Sequence, residues 1–539
     1  MVKNKKENEE IKLKEKTEST TNKKNKIKNE MVVNPEIVKK RKNVKKILKD
    51  DNNDGDLLNK ENIKEDNLYK KNVKANKKQD NKSKKNKKED HNIDVNKNNV
   101  VEPKLRKKRR LKKKYRILLL ILLIVIIGIS IITGIRIYNR YQEKLENNRI
   151  IKERNELVNV IKSHYNNFVV VSKDTKLYRI DEDSNYSEYG MVYKGTELIL
   201  NEIEIDYLTE YFYSKDLECY IKYNDLKPIN ELSEYDNRYK KYIVFNQNIV
   251  TKDEFSLYDE NDSKVYLFKN SMSFPIIIKN DNGKYYIEFN NRLLYVLKED
   301  VKEIVNANNT SSKNASKITT LCYHRIYDSN HKCNDLYICK SKSNFEREMK
   351  YLSDNDFFAL TMEEMYLYLT KKIQVPRKSV VLTFDDGTLF ELGIEILEKY
   401  NLHGTGFIKT GTFSDYSVYE SPNFELQSHT DKMHVAGTCP IERVNQQGGG
   451  ILCLKESTVL SDLKLSREKL NGAIALAYPF YDYNNRAIEL VKKAGFKLAF
   501  IGANNVSGRA WPGINLYKVP RMTIWNTTSF ETFKGYVNN

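Results

Sequence analysis

Two adjacent carboxylates, Asp385 and Asp386, end the apolar run in KSVVLTFDDGTLF. Carboxylates at the end of a buried strand either turn the chain or do chemistry there. His429 and His434 close a second apolar stretch, FELQSHTDKMH, and His324 ends a third, TLCYHR. Only seven histidines occur in 539 residues, and three of them fall at predicted strand ends of one region. Neutral imidazole nitrogens and a carboxylate oxygen bind a divalent ion and leave positions open for water and substrate. A second carboxylate beside such an ion stays ionised and can accept a proton from water. The pattern predicts metal-assisted hydrolysis, with one aspartate as ligand and its neighbour as base. An Asp-Gly turn would account for Asp386-Gly387 alone but leaves the histidines unexplained.

These residues need a scaffold that brings several strand ends together. From Lys317 onward, strand and helix patterns alternate. KITTLCYH, FFALTM, SVVLTF, HGTGFI, NFELQSH and IALAYPF read as strands. SNFEREMKYLSDN, capped by Ser343, EEMYLYLTKK, LGIEILEKYN, SDLKLSREKLNG and NNRAIELVKKAG read as helices, the last two stopping at Gly472 and Gly495. Regular alternation predicts an α/β domain over 318–539 with a parallel sheet closed, or nearly closed, into a barrel. In such barrels the strand C-termini carry the site.

The rest of the chain has a different texture. The formal charge is +20, and residues 1–116 account for +21 of it, so the remainder is close to neutral. Residues 1–116 are rich in Lys, Asn and Glu and poor in apolar residues, and they predict a disordered basic tail. With the charge confined there, anionic lipid is the expected contact and a nucleic-acid partner is not. Residues 117–135, ILLLILLIVIIGISIITGI, carry no charge and are long enough as a helix to cross a bilayer. KLRKKRRLKKKYR directly precedes them, so the positive-inside bias puts the N-terminus in the cytoplasm and the C-terminal part outside, in a single-pass membrane protein. Residues 137–167 continue as a charged helical stalk.

Short apolar and aromatic runs over 168–305 predict an all-β region. Within it YIKYNDLKPI (Tyr220–Ile229) and YVLKEDVKEI (Tyr295–Ile304) align without gaps, and TKLYRIDEDS and EFSLYDENDS correspond upstream, which predicts two tandem β-repeats. They resemble SH3-like modules of bacterial surface proteins. A polar linker follows over 306–317. Six cysteines are too few for a disulfide-dense scaffold. Cys333 could pair with Cys339 and Cys439 with Cys453, but sequence leaves the connectivity open.

LTFDDG, SHTDKMH and AYPF, in this order, resemble the motifs of polysaccharide deacetylases, the NodB-type domain of carbohydrate esterase family 4. The resemblance implies an irregular (β/α)7 barrel, one divalent ion, zinc or similar, and removal of N-acetyl groups from an aminosugar polymer. It makes Asp385 the base and Asp386, His429 and His434 the metal ligands. Tyr478, Pro479, Phe480 and Arg521 would contact substrate, and the Phe480 N–H would donate to the oxyanion. The four residues between His429 and His434 resemble the branch acting on poly-β-1,6-N-acetylglucosamine and related membrane-anchored Gram-positive deacetylases. Most members of the family carry a late histidine as general acid, and none follows His434 here. The resemblance to that branch, where a histidine near the start of the domain takes its place, makes His324 the candidate general acid. The expected polymer is a cell-wall or surface polysaccharide, peptidoglycan or poly-N-acetylglucosamine. The competing readings are a silent wall-binding protein that retains the fold, and an O-acetyl esterase.

Overall fold

The computed structural model describes residues 113–538 apart from 166, 183, 206–208, 311, 336, 414 and 503–506. The tail expected over 1–116 lies outside them but for its last four residues. Lys113–His164 forms one helix of 52 residues, about 78 Å long at 1.5 Å per residue. Its apolar window has mean hydropathy 3.2 and none of it is buried. The charged stalk is the uninterrupted continuation of that helix, and a strand, Asn167–Val171, follows.

The chain divides into two compact units. The first, through Val169 together with Leu200–Pro228, holds the long helix and antiparallel strands Ile203–Ile205, Tyr211–Ser214 and Cys219–Lys222. Aromatic rings secure the end of the helix: Tyr165 lies 6.0 Å from Phe212 and 5.8 Å from Tyr223, centroid to centroid.

The second unit, Val170–Ile199 with Ile229–Asn539, begins with more of the β region. The hairpin Thr175–Ile180/Tyr186–Val192 pairs through its second strand with Lys264–Phe268. Strands from the two halves of the region therefore share a sheet. The stretches that match in sequence also match in local build. Each is a strand, a 3-10 turn and a strand: Cys219–Lys222, Tyr223–Asp225 and Leu226–Pro228 in one, Arg292–Leu297, Lys298–Asp300 and Val301–Asn306 in the other. The expected linker is docked where it meets the last domain. Asn314 bridges to Pro376, and buried Ala315 donates its N–H to the Val375 carbonyl at 2.8 Å.

The remaining residues build the barrel. Its strands are β1 (Ile318–Tyr323), β2 (Ser379–Asp386), β3 (Gly404–Ile408), β4 (Phe424–Ser428), β5 (Ala475–Ala477), β6 (Leu498–Ile501) and β7 (Val519–Pro520). Each pairs in parallel with the next in sequence. Every residue of β1, β2 and β3 is buried, as expected of strands covered on both faces. The ring closes over one short segment. Val519 and Pro520 pair with Phe500 and Ile501 of β6, and two residues later Met522 and Thr523 pair with Leu321 and Cys322 of β1. Arg521 sits between the two pairings.

Helices return the chain from β1 to β2, β2 to β3, β4 to β5 and β5 to β6. The β3–β4 connection holds a 3-10 turn instead, which makes the barrel irregular. The Lys342–Asp354 helix is capped by Ser341, whose hydroxyl accepts from the Asn344 N–H, rather than by Ser343. A capping side chain must lie just outside the helix, and here the helix starts earlier than its pattern suggests.

Glycine lets β3 pack closely. A Cβ on Gly406 would lie 2.7 Å from the Phe390 ring and 2.8 Å from Phe424. Gly406→Val should therefore destabilise the protein by about 1–3 kcal/mol, the usual range for overpacking. The measurement is the urea midpoint of full-length protein in detergent. An unchanged midpoint would show that these rings can move aside.

Candidate active site

The sequence-predicted ligands converge at the C-terminal end of the barrel strands. One donor atom each from Asp386, His429 and His434 lies within 4.8 Å of the others. His434 Nε2 is 3.3 Å and His429 Nε2 4.0 Å from Asp386 Oδ1. The His429 and His434 side chains are 3% and 18% exposed, so the cluster opens to solvent on the His434 side.

The donor set fits a divalent ion on two grounds. His429 Nδ1 donates to the Ala477 carbonyl at 2.9 Å, which turns the Nε2 lone pair toward Asp386. Burial and the neighbouring His429 push His434 down to about 4, so its imidazole is neutral and free to ligate. Burial raises the Asp386 pKa, but the three imidazoles and Lys409, whose Nζ lies 3.2 Å from Oδ1, outweigh it and keep the carboxylate ionised.

Asp385 faces a different partner. Its carboxylate receives two parallel bonds from Arg521, Nη1 to Oδ1 at 2.7 Å and Nη2 to Oδ2 at 2.8 Å. Burial raises the Asp385 pKa, but Arg521 and His429 more than offset this and hold it well below the usual carboxylate range.

A second group, Cys322, His324 and Asp385, also has its donor atoms within 4.8 Å. It suits a cation less well. Both Asp385 oxygens already bond a guanidinium, and burial pushes the Cys322 thiol up to about 12. His324 has a buried Nδ1 without a hydrogen-bond partner among the described residues. Burial lowers its pKa against the opposing pull of Asp385 and Asp386, so a proton placed on it is readily given up.

The AYPF segment departs from expectation in part. Phe480 adopts φ 56° and ψ 14°, a left-handed conformation rare for a bulky residue, and its ring lies 4.2 Å from that of His434. Tyr478 and Pro479, expected to line substrate, are buried instead. The Tyr478 hydroxyl bonds the Tyr517 carbonyl inside the core. Arg521, expected at the substrate, is fully buried beneath Asp385, so a polymer arriving from solvent meets neither Arg521 nor Tyr478.

Sequence reasoning missed the groups that hold the histidine loop. Asp462, on the Glu456–Lys469 helix, accepts from the backbone N–H of Asp431 at 2.8 Å and Lys432 at 2.7 Å. Asp431 in turn accepts from Thr410 and Lys469. Asp482, fully buried, accepts from Gly449 N–H at 2.8 Å and ties the Phe480 turn to the loop closed by Cys439–Cys453. Cys333 and Cys339 form the other disulfide. Nothing in the spacing of Asp462 distinguishes it from a solvated helix residue.

Residues 372–499 match the family described as polysaccharide deacetylase. Poly-beta-1,6-N-acetyl-D-glucosamine N-deacetylase of Staphylococcus aureus is 28% identical over 261 residues, covering 42% of this chain and 86% of the relative. The enzyme of the same name from Staphylococcus epidermidis is 26% identical over 209 residues, covering 35% and 68%. Among solved structures, Streptococcus pyogenes deacetylase PplD in complex with acetate aligns at 22% identity over 42% of this chain and all of its own, with TM-score 0.35. IcaB from Ammonifex degensii aligns at 20% over 42% and 99%, also with TM-score 0.35. The C-terminal part of the chain thus carries a polysaccharide deacetylase domain, of the hydrolases that cleave N-acetyl amide bonds.

Two outcomes follow from the contacts beneath the site. Arg521→Met leaves Asp385 buried and unpaired and should cost about 3–5 kcal/mol in reversible denaturation, with a large part recovered on adding Asp385→Asn. Asp462→Ala should preserve the fold yet weaken zinc binding about 10- to 100-fold, as loss of a support behind a ligand does, read by competition with a chromophoric chelator. Zinc affinity within twofold of the parent would remove Asp462 from that role.

Proposed function

We propose that this chain is a membrane-anchored, metal-dependent N-deacetylase of a surface poly-N-acetylglucosamine. The observation that carries the reading is the meeting of Asp386, His429 and His434 within 4.8 Å, with the Arg521-bound carboxylate of Asp385 next in the chain. Relatives that act on poly-β-1,6-N-acetylglucosamine, matched along 86% of the Staphylococcus aureus enzyme, favour that polymer over peptidoglycan.

Asp386, His429 and His434 would hold a divalent ion, which when bound would supply Lewis-acid polarisation of the acetamide carbonyl and a more acidic water. The chain's own residues do the rest. Asp385, ionised at neutral pH, accepts the proton of the attacking water on a carboxylate oxygen. Arg521 keeps both its oxygens in one plane and excludes rotation. The Phe480 N–H, presented by its left-handed turn, donates to the oxyanion as the carbonyl becomes tetrahedral. His324, when protonated, delivers its proton to the departing nitrogen. Acetate and a free amine are the products.

The topology belongs to the same proposal. The apolar helix within Lys113–His164 crosses the membrane, with the basic tail in the cytoplasm and the deacetylase domain outside. Disulfides Cys333–Cys339 and Cys439–Cys453 accord with an oxidising compartment. The two β-repeats, read as SH3-like, would serve as spacer or polymer contact between them.

Asp385→Asn should keep bound zinc and lose acetate release from poly-β-1,6-N-acetylglucosamine by at least about 10²-fold, the low end for a general base. His434→Ala should lose the zinc as well. Metal content by mass spectrometry and free amine by derivatisation read the two arms. Near-parental turnover by Asp385→Asn would remove the base. Faster release from an aryl acetate than from the polymer would favour the esterase reading.

A further inference from the structure

We propose that Tyr337 and Trp525 form a stacking subsite for a pyranose ring of the polymer adjoining the unit that loses its acetyl group. The identity of this ligand rests on the deacetylase reading above. The two rings lie 4.5 Å apart, centroid to centroid, inclined by 30°. Tyr337 is 58% exposed and Trp525 half-buried beneath it. They come from two loops that leave the site-bearing end of the barrel. Tyr337 belongs to the loop after β1 and His324. Trp525 follows Ile524, whose N–H donates to the Cys322 carbonyl at 2.9 Å.

Trp525 lies level with His324 along the barrel: Thr523, two residues before it, pairs with Cys322, two residues before His324. Trp525 is two residues beyond Thr523, at most about 7 Å of chain. The Thr523 hydroxyl bonds the Tyr481 hydroxyl at 3.1 Å, which in turn lies 3.5 Å from the Cys322 sulfur against Asp385. An apolar surface this near a catalytic centre is a place for substrate.

The platform is also rigid. Asn526 donates its N–H to the Tyr337 carbonyl at 3.2 Å, the Thr528 N–H donates to the Trp525 carbonyl at 3.0 Å, and the Trp525 N–H donates to the Thr528 hydroxyl at 3.0 Å. Buried Lys340 reaches the Thr528 carbonyl at 2.9 Å, and Cys333–Cys339 closes the Tyr337 loop. Rings already fixed lose little freedom when a ligand settles on them. The same loop walls a cavity of about 750 Å³, whose polar lining includes Ser329, Lys332 and Ser341. Its size and hydroxyl-bonding groups suit one or two sugar units.

The chain has two tryptophans, so Trp511→Phe leaves Trp525 as the sole indole reporter. Full-length protein in detergent, carrying Trp511→Phe and Asp385→Asn to prevent turnover, is titrated with β-1,6-linked N-acetylglucosamine oligomers. Trp525 emission should shift saturably. In the otherwise native protein, Tyr337→Ala should raise KM for the oligomer about five- to tenfold with kcat nearly constant, the range of an aromatic stacking contact. Tyr337→Phe should restore KM, because the ring and not the hydroxyl is used. Saturation by calorimetry without a change in Trp525 emission overturns the subsite and leaves the deacetylase standing. So does an unchanged KM in Tyr337→Ala. An emission shift in the Asp385→Asn protein, with no acetate released by the protein that retains Asp385, upholds the subsite and overturns the deacetylase reading. Absence of both oligomer binding and acetate release overturns both.

Discussion

A guanidinium sealed inside a barrel must have its charge answered there, because arginine does not deprotonate in proteins. Arg521 is fully buried, with the rings of Phe407, Tyr481 and Phe500 between 5.3 and 5.8 Å from its Cζ. Its carboxylate partner is Asp385. The rings add cation–π attraction, but the two parallel bonds to Asp385 carry the electrostatic load. Buried ion pairs commonly contribute little net stability compared with hydrophobic replacements. The pair is better understood as a positioning device: a carboxylate clamped on both oxygens has one orientation.

The same residue interrupts the last strand. β7 ends at Pro520, and pairing resumes on β1 at Met522. Arg521 is where the chain crosses from one edge of the open sheet to the other. Closure of the ring and orientation of the Asp385 carboxylate are thus one structural event. Displacement of the 519–523 segment would open the seam and release Asp385 together. The two aspartates differ although they are neighbours. Strict alternation along β2 would send their side chains to opposite sides, but the left-handed backbone at Asp386 breaks it, and both carboxylates stay at the same end of the barrel. Asp385 meets the barrel interior, whereas Asp386, at φ 82°, turns out toward the histidines. Aspartate tolerates that left-handed conformation better than most residues, and Gly387 at φ 80° completes the turn.

The architecture was legible where it rested on periodicity and punctuation. The parallel strands, the helices stopping near Gly472 and Gly495, and the strand-end placement of Asp385, Asp386, His429 and His434 all follow from local pattern. What escaped depended on contacts between residues distant in sequence. Arg521 lies more than a hundred positions from Asp385, so VPRMTI alone could not distinguish a buried clamp from a substrate contact. Tyr478 looked available because it precedes a candidate oxyanion turn, yet it directly follows β5 and its ring is buried in the cluster with Leu476, Leu463 and Leu490. Asp462 was invisible for a related reason. A carboxylate on a helix face is usually solvated, and only the fold places it against the backbone of Asp431 and Lys432.

Strain concentrates where these long-range supports meet. Asp386, Thr430 and Phe480 all have positive φ, and each adjoins or belongs to the candidate constellation. Such backbone persists only when its surroundings over-determine it. At Thr430 they do: its N–H donates to the Ser428 hydroxyl at 3.1 Å, its carbonyl accepts from Thr410 at 3.1 Å, and Ser428 is fixed by Ser466 at 2.7 Å. Gly411 lets the strand-end loops approach this closely, since a Cβ there would sit 2.6 Å from the Asp431 carbonyl. At Phe480 the restraint comes from the other direction, through Asp482 and the loop closed by Cys439–Cys453. The two histidines and the Phe480 turn are therefore held by separate elements, one from the Glu456–Lys469 helix and one from the stapled loop. They meet only because the strands beneath them form a closed ring. Precision at the site is a property of that closure, and the buried Arg521–Asp385 pair lies at its seam.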